Sequence, residues 1–146
     1  ADEKGLPRFT AMQPELNLLD RAQYEGPLQQ LCVDEGLGVV TYFSLASGYL
    51  SGKYRSADDI GGRARGPRVK PYLEGKGPAM LAVMDRIAGE TGASLSQIAL
   101  AWVAAQPGVT APIASATSVG QLDEIIGSET VVLTSEQLAA LTGAGA

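Results

Sequence analysis

The chain of 146 residues is 45% hydrophobic and 18% charged, which suits one domain with a hydrophobic core and excludes a disordered composition. Its net charge of −5 provides no basic surface of the kind that nucleic acids or anionic membranes require, so we expect neither as a partner. The chain has no histidine and a single cysteine, Cys32, so Ser-His or Cys-His catalysis and an internal disulfide are excluded within these residues, and we expect no metal site.

Targeting signals and membrane spans are not evident in the sequence. No segment has the pattern of a signal peptide, and no apolar run approaches the roughly 20 residues of a transmembrane helix, so we expect a cytoplasmic protein.

Three short runs, at residues 8–13, 37–45 and 109–114, are predicted to be strands. Helical patterns lie between and after them, at residues 26–36, 78–92 and 94–108, with two more helices starting after Ser118 and Thr134. The order β-α-β-α-α-β-α-α predicts an α/β protein with parallel strands and right-handed crossovers. Cys32 and the apolar stripes of the helices are interpreted as core.

The segment from Ala46 to Gly77 is rich in glycine, lysine and arginine and has no sustained periodicity. We predict a long loop here, of the functional kind, because structureless loops of this length are uncommon inside a compact domain. The loop follows the second strand, at the end of the sheet where barrels of β/α units build their active sites.

The residues after the third strand allow two interpretations. Ser118 and Gln121 fit a capping box, as do Ser94 with Gln97 and Thr134 with Gln137. A helix starting at Ser118 also directs free N–H groups and the positive end of its dipole outward, which suits a phosphate.

Three strands raise a topological difficulty. They cannot close a barrel, and an open parallel sheet of three strands has two bare edges that invite pairing or aggregation. We therefore expect a missing half of the fold, or another chain, to cover these edges.

Three motifs, in order, resemble the aldo-keto reductases. "MQPELNLLDR" is similar to their Q-x-x-Y-N-L-x-x-R after the sixth strand, and "YFSLASGYLSGKY" resembles their Y-S-P-L-x-x-G-x-L-x-G-K-Y after the seventh. The segment "SLSQIALAWVAAQPGVTAPIASATSVGQLDEIIGS" looks like the region that ends in S-x-x-Q-L-x-E. The resemblance spans residues 12–128 and implies the C-terminal part of a (β/α)8 TIM barrel, with about three parallel strands plus helices.

The resemblance implies an NADPH-dependent reductase that converts aldehydes or ketones, as small-molecule substrates, to alcohols. The catalytic Asp, Tyr, Lys and His of such enzymes come from the other half, so no catalytic residue is assigned to this chain. Its part is to bind NADP(H). The alternatives are a non-catalytic NADP-binding or regulatory half-barrel and an inactive fragment.

The cofactor-binding residues also follow from the resemblance. Gln13 fixes the nicotinamide carboxamide and Tyr42 stacks on the nicotinamide ring. Leu45 and Gly48 bring their backbone close to the pyrophosphate, and Lys53 supplies a positive charge for phosphate.

The adenosine end of the cofactor is assigned in the same way. Arg63 faces the adenosine phosphate, with Arg65 and Arg68 as competing candidates. The residues that surround the 2′-phosphate and adenine are Thr117, Ser118, Gln121 and Glu124. Ile125 stands where the family commonly has an adenine-binding Asn, so that contact is not carried over.

Overall fold

The computed structural model describes residues 1–61 and 65–145. The strands are β1 (Ala11–Met12), β2 (Gly38–Thr41) and β3 (Val109–Pro112). The helices are α1 (Pro27–Asp34), α2 (Gly66–Glu74), α3 (Gly77–Thr91), α4 (Leu95–Ala104), α5 (Val119–Ile126) and α6 (Ser135–Gly145). Short 3-10 helices lie at Asp2–Lys4, Ala46–Ser51, Ala57–Ile60 and Gly127–Thr130.

The three strands form one sheet and are parallel, as predicted, and their order in it is β1-β2-β3. The register between β2 and β3 shifts between Val39 and Val40. At this irregularity the hydroxyl of Thr110 accepts a hydrogen bond from the backbone N–H of Val39, at 3.0 Å. A side chain thus satisfies a buried donor where the ladder is interrupted.

The pairing of β1 and β2 continues beyond the two strands. Tyr42 N donates to the carbonyl of Pro14 at 3.0 Å, Leu16 N donates to the carbonyl of Tyr42 at 3.4 Å, and Glu15 forms a bridge with Tyr42. The segments that follow β1 and β2 are therefore held side by side at the carboxyl edge of the sheet.

One apolar core joins the sheet to the helices, and α4 lies at its centre. Trp102 of α4 is completely buried, and α4 packs against α3, α5 and β3. Met80, Met84 and Ile87 of the predicted stripe on α3 are fully buried, and Cys32 is a buried core residue as interpreted.

The predicted loop at 46–77 is wrong in one respect, because it contains α2 and two 3-10 helices. Pro71 stands inside α2, and an internal proline normally argues against a helix. Packing decides the outcome, since α2 buries Val69 and lies against Ala46–Ser51, Ala57–Ile60 and α3.

Two of the three predicted capping boxes are confirmed. Ser94 Oγ accepts from Gln97 N at 3.2 Å while Gln97 Oε1 accepts from Ser94 N at 2.9 Å, and Thr134 and Gln137 make the same pair of bonds. Among the residues described, no helix is both long and apolar enough to cross a membrane.

Candidate functional site

Gln13 and Tyr42 lie at the carboxyl edge of the sheet, directly after β1 and β2. Gln13 is exposed, and Tyr42 is half-buried with its ring in an edge contact with Phe43, at 5.2 Å between centroids. The bond from Tyr42 N to the carbonyl of Pro14 brings the two segments together. The backbone segments that carry Gln13 and Tyr42 therefore lie side by side at this edge.

The chain turns sharply after Tyr42 through a left-handed stretch. Phe43, Ala46 and Ser47 have φ values of 54°, 48° and 57°, and Gly48 has 92°. Each non-glycine residue in this region costs about 1–3 kcal/mol, so the surrounding structure must hold the turn in place. Strain of this kind concentrates at functional sites.

The turn is held by short hydrogen bonds inside it. Ala46 N donates to the carbonyl of Phe43 at 2.7 Å, and Gly48 N donates to the carbonyl of Leu45 at 2.8 Å. At its base the buried hydroxyls of Thr41 and Ser44 lie 3.1 Å apart.

Two of the predicted phosphate-binding residues, Gly48 and Lys53, come together at this turn. A Cβ added to Gly48 would lie 3.0 Å from Lys53 Nζ and 3.1 Å from Lys53 Cε. The Lys53 ammonium therefore occupies the space that a side chain at Gly48 would fill, and it also lies 5.3 Å from the centroid of the Tyr54 ring. The result is an exposed positive charge beside a tight turn in which Ala46 and Gly48 are buried.

Asn17 supports the turn from the β1–α1 segment, a role that the sequence analysis missed. It is completely buried, and its Nδ2 donates to the carbonyl of Phe43 at 3.2 Å and to Asp20 Oδ2 at 3.0 Å. Its Oδ1 accepts from the backbone of Leu19 and Asp20 at 2.8 and 2.9 Å. The signal was the Asn in the quoted motif, a polar residue between apolar neighbours.

Tyr72 of α2 fixes that helix to the same region. Its hydroxyl donates to Asp20 Oδ2 at 2.6 Å. Burial raises the pKa of Tyr72 well above its ordinary value. The hydrogen bond to Asp20 and the negative charge of Asp20 raise it further. Burial and the charge of Asp20 also raise the pKa of Glu15.

We expect the unfolding free energy of Tyr72→Phe to fall less than that of the wild type when the pH becomes alkaline. A phenol whose pKa is raised by folding stabilises the protein below its ordinary pKa of 10.0, and this contribution disappears as the pH rises through the folded value. At neutral pH the variant should lose about 1 kcal/mol of unfolding free energy with the hydrogen bond.

Urea unfolding of both proteins at neutral pH and at roughly pH 10.5, just above the ordinary tyrosine pKa, measures the effect. The difference between wild type and Tyr72→Phe should shrink at the higher pH, while contributions of the other tyrosines cancel. An equal difference at both values would contradict the prediction.

The residues after β3 are exposed at the start of α5, and the capping interpretation accounts for part of their bonding. Ser118 Oγ accepts from Gln121 N at 3.3 Å. Gln121 Oε1 turns instead to Thr117, accepting from its N at 2.9 Å and its Oγ1 at 3.0 Å. Glu124 Oε1 accepts from Ser94 Oγ at 2.6 Å, which ties α5 to the start of α4. Their contact with a nucleotide stays a prediction.

The other predicted residues are partly brought together. The turn at Ala46–Ser51 and helix α5 both pack against α4. Arg63 lies outside the described residues. Of its two competitors, both exposed, Arg68 has its guanidinium 5.9 Å from the ring centroid of Phe43, beside the turn.

Two open cavities are found elsewhere. One of about 480 Å³ lies beside Glu15, Asp20, Arg21 and Lys76, and one of about 440 Å³ lies between the end of α3 and Gly127–Thr130. None of the predicted cofactor residues lines either of them. Within residues 1–61 and 65–145, no three His, Cys, Asp or Glu side chains gather to hold a metal ion.

Comparisons with known proteins agree with the motifs. The chain is 31% identical over 137 residues to a "Probable voltage-gated potassium channel subunit beta" of Arabidopsis thaliana, covering 85% of this chain and 39% of the relative. It is 33% identical over 143 residues to "Protein tas" of Escherichia coli K12, covering 95% and 40%. The chain thus spans about two fifths of the length of these curated relatives.

The fold matches that of a larger barrel. The crystal structure of a thermostable aldo-keto reductase in complex with the inhibitor epalrestat superimposes with a TM-score of 0.72 at 24% identity, over 98% of this chain and 42% of that one. This confirms the predicted fold class, an α/β chain corresponding to part of a TIM barrel. The model of the "Aldo/keto reductase family" matches residues 1–146, and the chain therefore belongs to the aldo-keto reductases, a family of oxidoreductases.

Proposed function

We propose that the chain is the cofactor-binding part of an NADPH-dependent oxidoreductase that reduces aldehydes or ketones to alcohols. The observation that carries the proposal is the pairing of Gly48 and Lys53 in the left-handed turn after β2. An exposed ammonium beside a tight turn suits a pyrophosphate, because the positive charge of Lys53 attracts an anion.

The other residues fit the same ligand. When bound, NADPH supplies a hydride to the carbonyl carbon of the substrate. In this chain Gln13 would hold the carboxamide and Tyr42 would lie against the ring, since the two follow adjacent strands. Thr117 and Ser118 offer hydroxyls at the start of α5 for the 2′-phosphate. The proton donor and the substrate pocket would belong to the rest of the barrel.

Exposed apolar side chains beside the edge strand β3 support the presence of another part of the barrel. Helix α5 follows β3 and leaves large apolar side chains exposed, with Val119 at 74%, Leu122 at 47% and Ile126 at 56%. Ile113, just past β3, is 42% exposed. We propose that the remaining part of a barrel, in the same polypeptide or in another, covers this surface, since contiguous exposed apolar residues mark interaction sites.

A second candidate is a regulatory half-barrel that binds NADP(H) without catalysis. It is favoured by the similarity of the chain to two proteins named "Probable voltage-gated potassium channel subunit beta", of Arabidopsis thaliana and Oryza sativa. The same nucleotide site would then report the redox state of the cofactor to a partner.

A fluorescence titration with NADPH and NADH tests the nucleotide site, on the chain alone and on the barrel assembled with its companion half. Lys53→Met should weaken NADPH binding about 10- to 100-fold, as expected for loss of a charge-assisted contact. Lys70→Met is the matched control, because Lys70 is an exposed lysine of α2 paired with Glu74. The affinity of Lys70→Met for NADPH should equal that of the wild type.

Turnover then separates the two candidates. Oxidation of NADPH by the assembled barrel with an aldehyde or ketone would support the reductase, whereas binding without turnover would support the regulatory role. Absence of binding to both nucleotides, with and without the companion half, would overturn both.

A further inference from the structure

Arg55 makes a dense set of contacts two residues after Lys53. Its guanidinium binds Asp85 of α3 with two bonds, Nη1 to Oδ2 at 2.7 Å and Nη2 to Oδ1 at 2.8 Å. Its Nε donates to the carbonyl of Gly52 at 2.9 Å. One side chain thus joins the end of the left-handed turn to helix α3.

The backbone of the same residue is fixed as well. Arg55 N and Ser56 N each donate to Asp59 Oδ2 at 2.8 Å. Ser56 and Asp59 form the capping box of the 3-10 helix Ala57–Ile60. The chain is therefore held on the C-terminal side of Lys53 by both the backbone and the side chain of Arg55.

Gly52 closes the arrangement on the other side of Lys53. It is left-handed, with φ of 77°, and a Cβ there would lie 2.5 Å from Leu95 Cδ1 and 2.9 Å from Arg55 Nη2. The Gly52 backbone is thus confined between Leu95 at the start of α4 and the Arg55 guanidinium. Lys53 leaves the chain from this confined point and lies over Gly48.

The ion pair between Arg55 and Asp85 contributes little to the unfolding free energy of the whole chain. The side chains of Arg55 and Asp85 are 45% and 50% exposed, and ion pairs at that exposure contribute little. Its geometry is nonetheless specific, because a planar guanidinium can bind a carboxylate with two bonds and a carbonyl with its third nitrogen, which a lysine cannot do. The effect of the contact is therefore local.

We infer that Arg55 is a positioning residue that, with Asp85, holds Lys53 over Gly48 in the place where the cofactor's phosphate binds. The inference rests on the proposed function. Arg55 need not touch the nucleotide; it acts through Lys53, by restricting the backbone on both sides of that residue.

The test is a double-mutant cycle on NADPH affinity, in the chain or in the assembled barrel, whichever binds. Arg55→Lys should weaken binding about tenfold when Lys53 is present and leave it unchanged in the Lys53→Met background, since residues that act through each other are not additive. Arg86→Lys is the control, because Arg86 is an exposed arginine of α3 that pairs with Glu90. It should bind NADPH like the wild type.

A second measurement needs no nucleotide. Hydrogen exchange of the free protein should quicken in peptides covering residues 46–56 in both Arg55→Lys and Asp85→Asn, and should not change in α5. Unchanged exchange at 46–56, or an equal loss of affinity with and without Lys53, overturns the inference. Faster exchange together with a wild type that binds no nucleotide would overturn the proposed function and leave the role of Arg55 in fixing Lys53 intact.

Discussion

Gly77→Ala should destabilise the chain by about 3 kcal/mol, the upper part of the range for overpacking a core. A Cβ at Gly77 would lie 2.3 Å from the Tyr49 hydroxyl and 2.4 Å from the backbone carbonyl oxygen of Tyr72. A backbone carbonyl cannot rotate away as the end of a flexible side chain can. Helix α3 would have to move away from α2 at the point where it begins.

Tyr49 has no room to yield. Its ring is completely buried and lies 5.6 Å from the ring of Tyr72, and among the residues described its hydroxyl has no hydrogen-bond partner. Burial also raises the pKa of this phenol. Removing the hydroxyl relieves one of three clashes, the others being with the Tyr72 carbonyl oxygen and, at 2.5 Å, with Tyr49 Cε1. Gly77→Ala should therefore cost somewhat less in a Tyr49→Phe background than in the wild type.

The matched control is Gly89→Ala on the same helix. Gly89 is exposed, and an added Cβ there meets nothing within 4 Å. That substitution should stabilise the chain by about 0.5–1 kcal/mol, through the helix propensity of alanine alone. Urea unfolding followed by circular dichroism gives both values, and a Gly77→Ala protein as stable as the wild type would contradict the prediction.

Much of the fold could be predicted because its signals are local. Met80, Met84 and Ile87 repeat with the helical period, and the boxes at Ser94 and Thr134 mark where α4 and α6 begin. Helix α2 could not be predicted in this way, since Pro71 opposes it and only packing against the neighbouring turns and α3 makes it stable.

The site was less accessible to sequence reasoning. Gly48 and Lys53 were both assigned to phosphate from the motif, but their contact depends on a left-handed turn through Ala46 and Ser47, which no local preference predicts. Asn17 reaches the carbonyl of Phe43 across 26 positions, a distance that sequence patterns do not cover.

Trp102→Ala should have the largest effect on stability, about 3–5 kcal/mol, the usual cost of emptying a buried tryptophan site. Trp102, in the last turn of α4, is completely buried. Its indole N–H donates to Thr142 Oγ1 at 3.1 Å, and the guanidinium of Arg21 lies 5.8 Å from its ring. Arg21 Nη1 in turn donates to the carbonyl of Thr142 at 2.6 Å. The substitution would therefore remove the contacts that join α4 to α6 and to the segment after β1.

Domains of this size have unfolding free energies of only about 5–15 kcal/mol, so a loss of 3–5 kcal/mol removes a large part of the stability of the chain.

Two variants separate packing from hydrogen bonding. Trp102→Phe keeps most of the ring volume and should cost clearly less than Trp102→Ala, while Thr142→Ala removes only the acceptor of the indole N–H. The effects of Trp102→Phe and Thr142→Ala should not add, because each breaks the same bond. Urea unfolding of the three variants and the double variant decides the matter, and a cost below about 2 kcal/mol for Trp102→Ala would mean that the indole does not fill the core.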